Sequence, residues 1–291
     1  MNTYFCPVYS LIDMKNNVLE VGAGRWTSFS YADENDPWWK KKLIETIEFS
    51  TGRGTIERLY NRIRDLDVPA KSLWSLGLEQ LQIDMLYDRE KLMSMPKTGP
   101  LIFISNHPFG IVDGLMLAAL VAELRDEFVF LVNEVLTRDE RLKPFLLPID
   151  FRETKEALRT NLDSRDKAIE RLKAGEALAI FPSGAVSTSK TYFGPAEDME
   201  WKNFVLKLVQ QSRATVVPLY IEGQNSRMFQ MVSQFSMALR LGMLLYETIN
   251  KMKRQIRVHI GEPITYDELE NSCTRPEMLG YLRKKVEELK P

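Results

Sequence analysis

Cysteine, histidine, net charge and long apolar runs are all scarce in this chain, and each scarcity removes a class of function. The two cysteines, Cys6 and Cys273, cannot build a disulfide framework, and neither stands in a CxxC pair of the kind that holds zinc. Such usage fits a reducing compartment, and no metal site is expected. A formal net charge of -1 supplies no basic field for a general nucleic-acid binder, so no nucleic-acid partner is expected. The opening MNTYFCPVYSLIDMKNN has neither a basic start nor a long apolar core, which argues against a secretory signal. The most apolar stretches, residues 114–121 and 237–246, fall well short of the ~20 residues of a membrane span, and the second is interrupted by Arg240. The expectation is a cytoplasmic protein, soluble or peripheral at the membrane. Neither GxGxxG nor a P-loop is present, which sets nucleotide binding aside.

What the sequence does contain is a change of rhythm. Hydrophobic residues at 44% and charged residues at 27% place the chain among folded proteins. From Asp36-Pro37, an N-cap followed by proline at the first helical position, Trp39, Leu43, Ile44 and Ile47 repeat at helical spacing. Gly52 and Gly54 break that helix; Ile56, Leu59, Tyr60 and Ile63 form a second stripe, and Pro69 opens a third through Trp74, Leu78 and Leu81. After Pro96-Lys97-Thr98-Gly99, short apolar runs at 101–104, 128–131, 146–150, 177–181, 216–221 and 256–260 alternate with helical patterns at 114–124, 165–173, 201–211, 227–253 and 275–289. Continuous apolar strands between helices imply an α/β fold with a mainly parallel central sheet flanked by helices. The expected organisation is a mostly helical N-terminal extension over residues 1–95 and an α/β domain over 96–291.

Only two histidines are present, His107 and His259. His259 lies within a strand pattern, IRVHIGEP, and reads as a packed or half-exposed strand residue. His107 lies in FISNHPFGIVDGL, past the carboxyl end of a strand and before a helix, where open α/β sheets bind ligands. Asp113 falls close to the start of that helix. Two readings follow: the carboxylate orients the imidazole for proton transfer, or it only caps the helix while His107 turns the loop.

The run Asn106-His107-Pro108-Phe109-Gly110-Ile111-Val112-Asp113-Gly114 resembles the first motif of the glycerolipid acyltransferases. Five residues intervene between histidine and aspartate here, against four in the usual motif. That longer NHPxGxxDG form resembles a branch of lysophospholipid or lyso-aminolipid acyltransferases, sometimes labelled hemolysin-like. Further blocks follow in order: Leu147-Pro148-Ile149-Asp150-Phe151-Arg152 resembles the second motif, Phe181-Pro182-Ser183-Gly184 the third, and Val216-Val217-Pro218-Leu219-Tyr220 the fourth. The resemblance implies transfer of a fatty acyl chain from acyl-CoA or acyl carrier protein to a lysolipid hydroxyl, with no cofactor and no metal. His107 would be the base and Asp113 its orienting acid. Asn106, Pro108, Gly110, Gly114, Pro182 and Pro218 would shape the motifs, and the backbone around Ser183-Gly184 would receive the oxyanion.

The third motif departs from the family: Ser183 replaces a glutamate, and Ala185-Val186 stand where threonine and arginine usually follow. Those positions help hold an acceptor headgroup, often a phosphate, so the departure favours an aminolipid or other lysolipid. Ser183, Ser187, Lys190, Arg152 and Arg227 are the candidates to bind it, although each cation also reads as a solvated surface charge. Trp38-Trp39-Lys40-Lys41-Lys42 and the apolar stripe behind it suit a helix lying in the headgroup region, on the cytoplasmic face of the cell membrane. The same stripe suits ordinary packing on the α/β domain. The Met-rich stretch 228–246 carries the same two readings. A hydrolase using Ser183 or Ser187 lacks the GxSxG elbow; a non-catalytic lipid-binding protein is the other alternative.

Overall fold

The computed structural model describes residues 37–50, 52–133, 140–150, 154–191, 194–235 and 237–291. The expected cap at Asp36, the aromatic-rich first thirty residues and Arg152 lie outside them. Five apolar runs build a parallel block: β2 (Leu101–Ser105), β3 (Phe128–Asn133), β4 (Leu146–Ile149), β5 (Ala177–Ile180) and β8 (Thr215–Ile221). Two further strands, β1 (Asp84–Leu86) and β9 (Gln255–Ile260), complete a sheet in the order β1-β9-β8-β2-β5-β3-β4. β9 runs antiparallel to β8 and β1 parallel to β9, so one edge of the mainly parallel sheet is reversed. β1 lies within the section expected to be helical, at the sheet's outer edge.

The sheet is covered on both faces, which is why its strands read as unbroken apolar runs. Along β2, Leu101 and Phe103 enter one core and Ile102 and Ile104 the other. The first core is closed by α3 (Leu73–Gln80), α4 (Arg89–Met93) and α5 (Ile111–Leu124); the second by α6 (Lys155–Lys173), α7 (Phe204–Ser212), α10 (Tyr266–Ser272) and α11 (Met278–Glu287). α6 starts ten residues before the expected 165, because Thr154 caps it by accepting from the Ala157 N–H at 3.1 Å. A short hairpin, β6 (Thr188–Ser189) with β7 (Ala196–Glu197), stands apart from the sheet.

A third group of helices gathers beside the carboxyl ends of the strands. α1 (Trp38–Ser50) packs on α9 (Met237–Asn250), which also contacts α2 (Arg53–Arg64), α5 and α8 (Arg227–Phe235). The stretch 227–253 is therefore two helices rather than one long one. Gly54 lies inside α2, and the break belongs to Gly52, whose φ of +106° suits glycine. Ile44 of α1 is fully buried while Trp38 and Trp39 are exposed, so Trp39 does not share the packed face expected of it.

At the opposite end of the sheet, buried Arg125 ties three loops together. Its guanidinium donates to the carbonyls of Pro96 and Gly99, each at 3.0 Å, and to that of Gly175. Arg125→Leu should leave these acceptors unmatched and cost about 2–4 kcal/mol. The check is the urea midpoint, which should fall with little change in slope; an unmoved midpoint would mean that water replaces the guanidinium.

Candidate active site

β2 lies at the centre of the parallel block, between β8 and β5, so the loop that follows it emerges at the middle of the carboxyl edge. Asn106 extends the ladder by side chain. Its Nδ2 donates to the Ile221 carbonyl at 2.9 Å and its Oδ1 accepts from the Ile221 N–H at 2.7 Å, fixing the loop to the end of β8. Pro218 sits within β8 opposite Ile104 and accepts from the Gly261 N–H at 2.8 Å.

The turn then reverses at Gly110, whose φ of +103° only glycine adopts comfortably, and α5 begins. A Cβ at Gly110 would stand 3.0 Å from Leu244 and 3.3 Å from Val186, so the turn is also packed tightly. Asp113, in the first turn of α5, is fully buried. Its Oδ1 accepts from the N–H groups of Gly110 at 2.7 Å and Gly114 at 3.1 Å. Its Oδ2 accepts from the Phe109 N–H at 2.8 Å and meets His107 Nδ1 at 3.0 Å. The two readings of Asp113 are thus one arrangement: one oxygen caps the helix and the other orients the imidazole.

Nδ1 directed at a carboxylate fixes the ring in the tautomer that leaves Nε2 as the acceptor. Among the described residues Nε2 has no hydrogen-bond partner, and the side chain remains 15% exposed. One face of the ring stacks on Phe181 at 3.9 Å between centroids and 11° between planes. The backbone of His107 is held from the other side of the site. Its N–H donates to Asp198 Oδ1 at 3.1 Å and its carbonyl accepts from the Ser187 N–H at 2.7 Å. Asp198 also accepts from the Ser187 hydroxyl at 2.6 Å and from the Trp201 indole at 3.1 Å. An oriented, partly exposed imidazole with a free Nε2 is equipped to take a proton from a hydroxyl.

The structure brings together Asn106, His107, Pro108, Gly110, Asp113, Gly114 and Ser187 of the expected set, with Phe181 beside them. The remaining candidates are engaged elsewhere. The Ser183 hydroxyl donates to the Ala185 carbonyl within its own turn at 2.9 Å, and Gly184, at φ +67°, commits its N–H to the Phe181 carbonyl at 2.9 Å. The Gly184 N–H is thus committed within the turn, whereas no bond from the Ser183 N–H is found among the described residues, and the Ser187 hydroxyl donates to Asp198. The Pro182 carbonyl accepts from the Lys202 N–H at 2.9 Å. Lys190 is 84% exposed and pairs with Glu197 at 2.9 Å, while exposed Arg227 holds the Gly194 carbonyl at 2.6 Å. His259 in β9 pairs with Glu222 and stays partly buried, as its strand pattern indicates.

Asp198 and Glu247, which the sequence reading missed, and Asn225, in the run that continues the fourth motif, hold the segments around this loop. Asn225 donates to the Phe109 carbonyl at 3.1 Å, and Gly223 abuts the Phe109 ring so closely that a Cβ would approach to 2.6 Å. Glu247, buried in α9, accepts from the N–H and hydroxyl of Ser226 and pairs with Lys251 at 3.3 Å.

Comparison with known proteins places this geometry in context. An acyltransferase family model matches residues 74–291, beginning in α3. Over 218 residues the chain is 29% identical to the lyso-glycine lipid O-acyltransferase of Phocaeicola vulgatus, spanning 71% of this chain and 74% of that protein. Over 230 residues it is 28% identical to the protein of the same name from Bacteroides thetaiotaomicron, spanning 74% and 80% respectively. The crystal structure of the 1-acyl-sn-glycerophosphate (LPA) acyltransferase PlsC from Thermotoga maritima aligns at a TM-score of 0.46 and 15% identity, over 85% of this chain and 95% of that one.

Asp198→Ala should strip a partner from the His107 N–H, the Ser187 hydroxyl and the Trp201 indole together. The loss should lower stability by about 2–4 kcal/mol and shift the indole's emission, since three donors lose one acceptor. A thermal midpoint within a degree of the parent's would show that Asp198 does not hold the loop.

Proposed function

The chain belongs to the acyltransferase family, and from that premise we propose that it moves a fatty acyl chain from acyl-CoA or acyl carrier protein to the hydroxyl of a lysolipid. The observation that supports this most directly is the His107–Asp113 pair, which leaves Nε2 without a hydrogen-bond partner among the described residues on a partly exposed ring. In the proposed reaction Nε2 takes the proton of the acceptor hydroxyl as its oxygen attacks the thioester carbonyl. Asp113 stabilises the imidazolium that forms. Collapse of the tetrahedral intermediate breaks the carbon–sulfur bond, and the imidazolium returns the proton to the departing thiolate. An ester and a thiol result, His107 is regenerated, and every atom is accounted for without an acyl-enzyme or a metal. The names of the two relatives favour an aminolipid acceptor over a phosphate-bearing one. A serine hydrolase draws no support, because both candidate hydroxyls are bonded internally.

The acceptor resides in a bilayer, and the proposed location is peripheral, on the cytoplasmic face of the cell membrane. Trp38 and Trp39 are exposed at the start of α1, ahead of Lys41 and Lys42, and Met228, Met231 and Phe235 are exposed on α8. α9 packs against both helices, so this apolar surface adjoins the site. No helix among the described residues is long and apolar enough to cross a membrane.

The test is acyl transfer by the purified protein and its His107→Ala variant, followed as free thiol and as new diacyl product across a panel of lysolipids. The variant should lose about 10²- to 10⁴-fold in acceptor-dependent transfer. Thiol release that needs no acceptor would point to a hydrolase, and undiminished transfer by the variant would remove His107 from the chemistry.

A further inference from the structure

Arg240 is a buried cation without a carboxylate partner among the described residues. It lies on α9, only 6% exposed, and its Nη2 donates to the Val186 carbonyl while Nη1 reaches the Met199 sulfur at 4.0 Å. A guanidinium carries five N–H donors, and among the described residues only one carbonyl and one thioether, a weak acceptor, receive from it. No acidic side chain among the described residues pairs with it, and burial pushes its pKa below the usual arginine range. Arg125 shows the contrast: it is equally buried, but three backbone carbonyls absorb its donors. Burying a charge with so few partners is unfavourable and calls for an anion that the described residues do not supply.

The position of Arg240 is specific to the site. Val186 precedes Ser187, whose N–H holds the His107 carbonyl, and Met199 follows Asp198, which holds the His107 N–H. Both neighbours of the guanidinium are thus one residue from the groups that fix the base. Val186 and Leu244, the latter one turn beyond Arg240 on α9, also close on Gly110. Met199 is 45% exposed, so the guanidinium lies next to an open edge rather than deep in a core.

We propose that Arg240 binds the carboxylate of the lysolipid acceptor and selects for that headgroup. The assignment rests on the lysolipid reading above and deepens it. A planar guanidinium matches a carboxylate with two parallel hydrogen bonds. A single buried arginine also balances a single negative charge, as on an amino acid acylated at its nitrogen, better than the double charge of a phosphate monoester. Lys190 and Arg227, the cations nearest in sequence to this turn and to α8, are tied to Glu197 and to the Gly194 carbonyl.

The test compares three acceptors with the intact protein: a lyso-glycine lipid, its methyl ester and lysophosphatidic acid. The parent protein should use the free acid at least about tenfold better than the ester in kcat/KM, as expected when a charged hydrogen-bonding partner is removed. Arg240→Gln should lose that preference mainly through a raised acceptor KM, and Arg240→Lys should retain part of it. Because a buried site tolerates substitution poorly, the acid-to-ester ratio of the parent protein tests carboxylate recognition without any substitution, and the conservative Arg240→Lys variant assigns it to this residue. Equal use of acid and ester overturns the assignment and leaves lysolipid transfer standing. Preference for lysophosphatidic acid overturns the carboxylate. Product with no acceptor at all defeats the lysolipid reading, and this inference with it.

Discussion

A fully buried carboxylate, Asp113, receives four N–H donors on its two oxygens, and the placement of the whole loop depends on that set of bonds. Three of the donors are backbone groups of residues 109, 110 and 114, so the carboxylate folds the turn and starts α5 before it does anything to the imidazole. The partial positive charge at the helix start adds to the same anion. An amide in place of the acid could not accept from all four, because one of its two polar atoms is itself a donor. Local fold and ring orientation are therefore inseparable here. Capping and catalysis compete as explanations of Asp113 only while it is viewed as a letter in a sequence.

The loop's other side is fixed by long-range bonds. Asn106 locks it to β8, Asp198 and Ser187 grip the His107 backbone, and Phe181 covers one face of the ring. These partners come from the segments after β5 and β8, the two strands that flank β2. The sheet order is what makes such a convergence possible: three neighbouring parallel strands deliver three loops to one edge. The shared carboxyl edge, rather than any single motif, explains why ordered blocks far apart in sequence act as one unit.

How much of this the sequence shows depends on range. The strands of the parallel block are legible because burial on both faces leaves continuous apolar runs, and His107 with Asp113 is legible because six positions separate them across one turn. β1 is not legible: it has three half-buried residues at an edge and no alternation to detect. Asp198 is not legible either. It sits among acids in Ala196-Glu197-Asp198-Met199-Glu200, and nothing local tells which of them reaches a histidine 91 residues away. Ser183 and Ser187 look available as letters, yet their hydroxyls are consumed by a carbonyl and a carboxylate that only the fold brings near. Arg240 reads as a charge interrupting an apolar stretch. Its significance lies in what does not surround it, and a missing partner leaves no trace in sequence.

Polar groups buried around this loop serve location more than stability. Glu247 on α9 is fully buried and gathers Ser226, Asn250 and Lys251, while Lys251 also lies 5.1 Å above the Phe109 ring. Well-packed apolar residues often match or exceed such clusters in stability, since desolvation offsets much of the attraction. An apolar contact tolerates sliding, whereas a hydrogen bond specifies a distance and a direction. A base must meet a substrate hydroxyl at hydrogen-bond distance, so the loop carrying it gains more from partners that set position than from partners that only add cohesion. On this view α9 is the counterpart of the sheet edge. Its acid grips the segment after β8, its leucine closes on Gly110, and its arginine donates to the Val186 carbonyl of the adjoining turn, so one helix fixes both sides of the loop that carries the base.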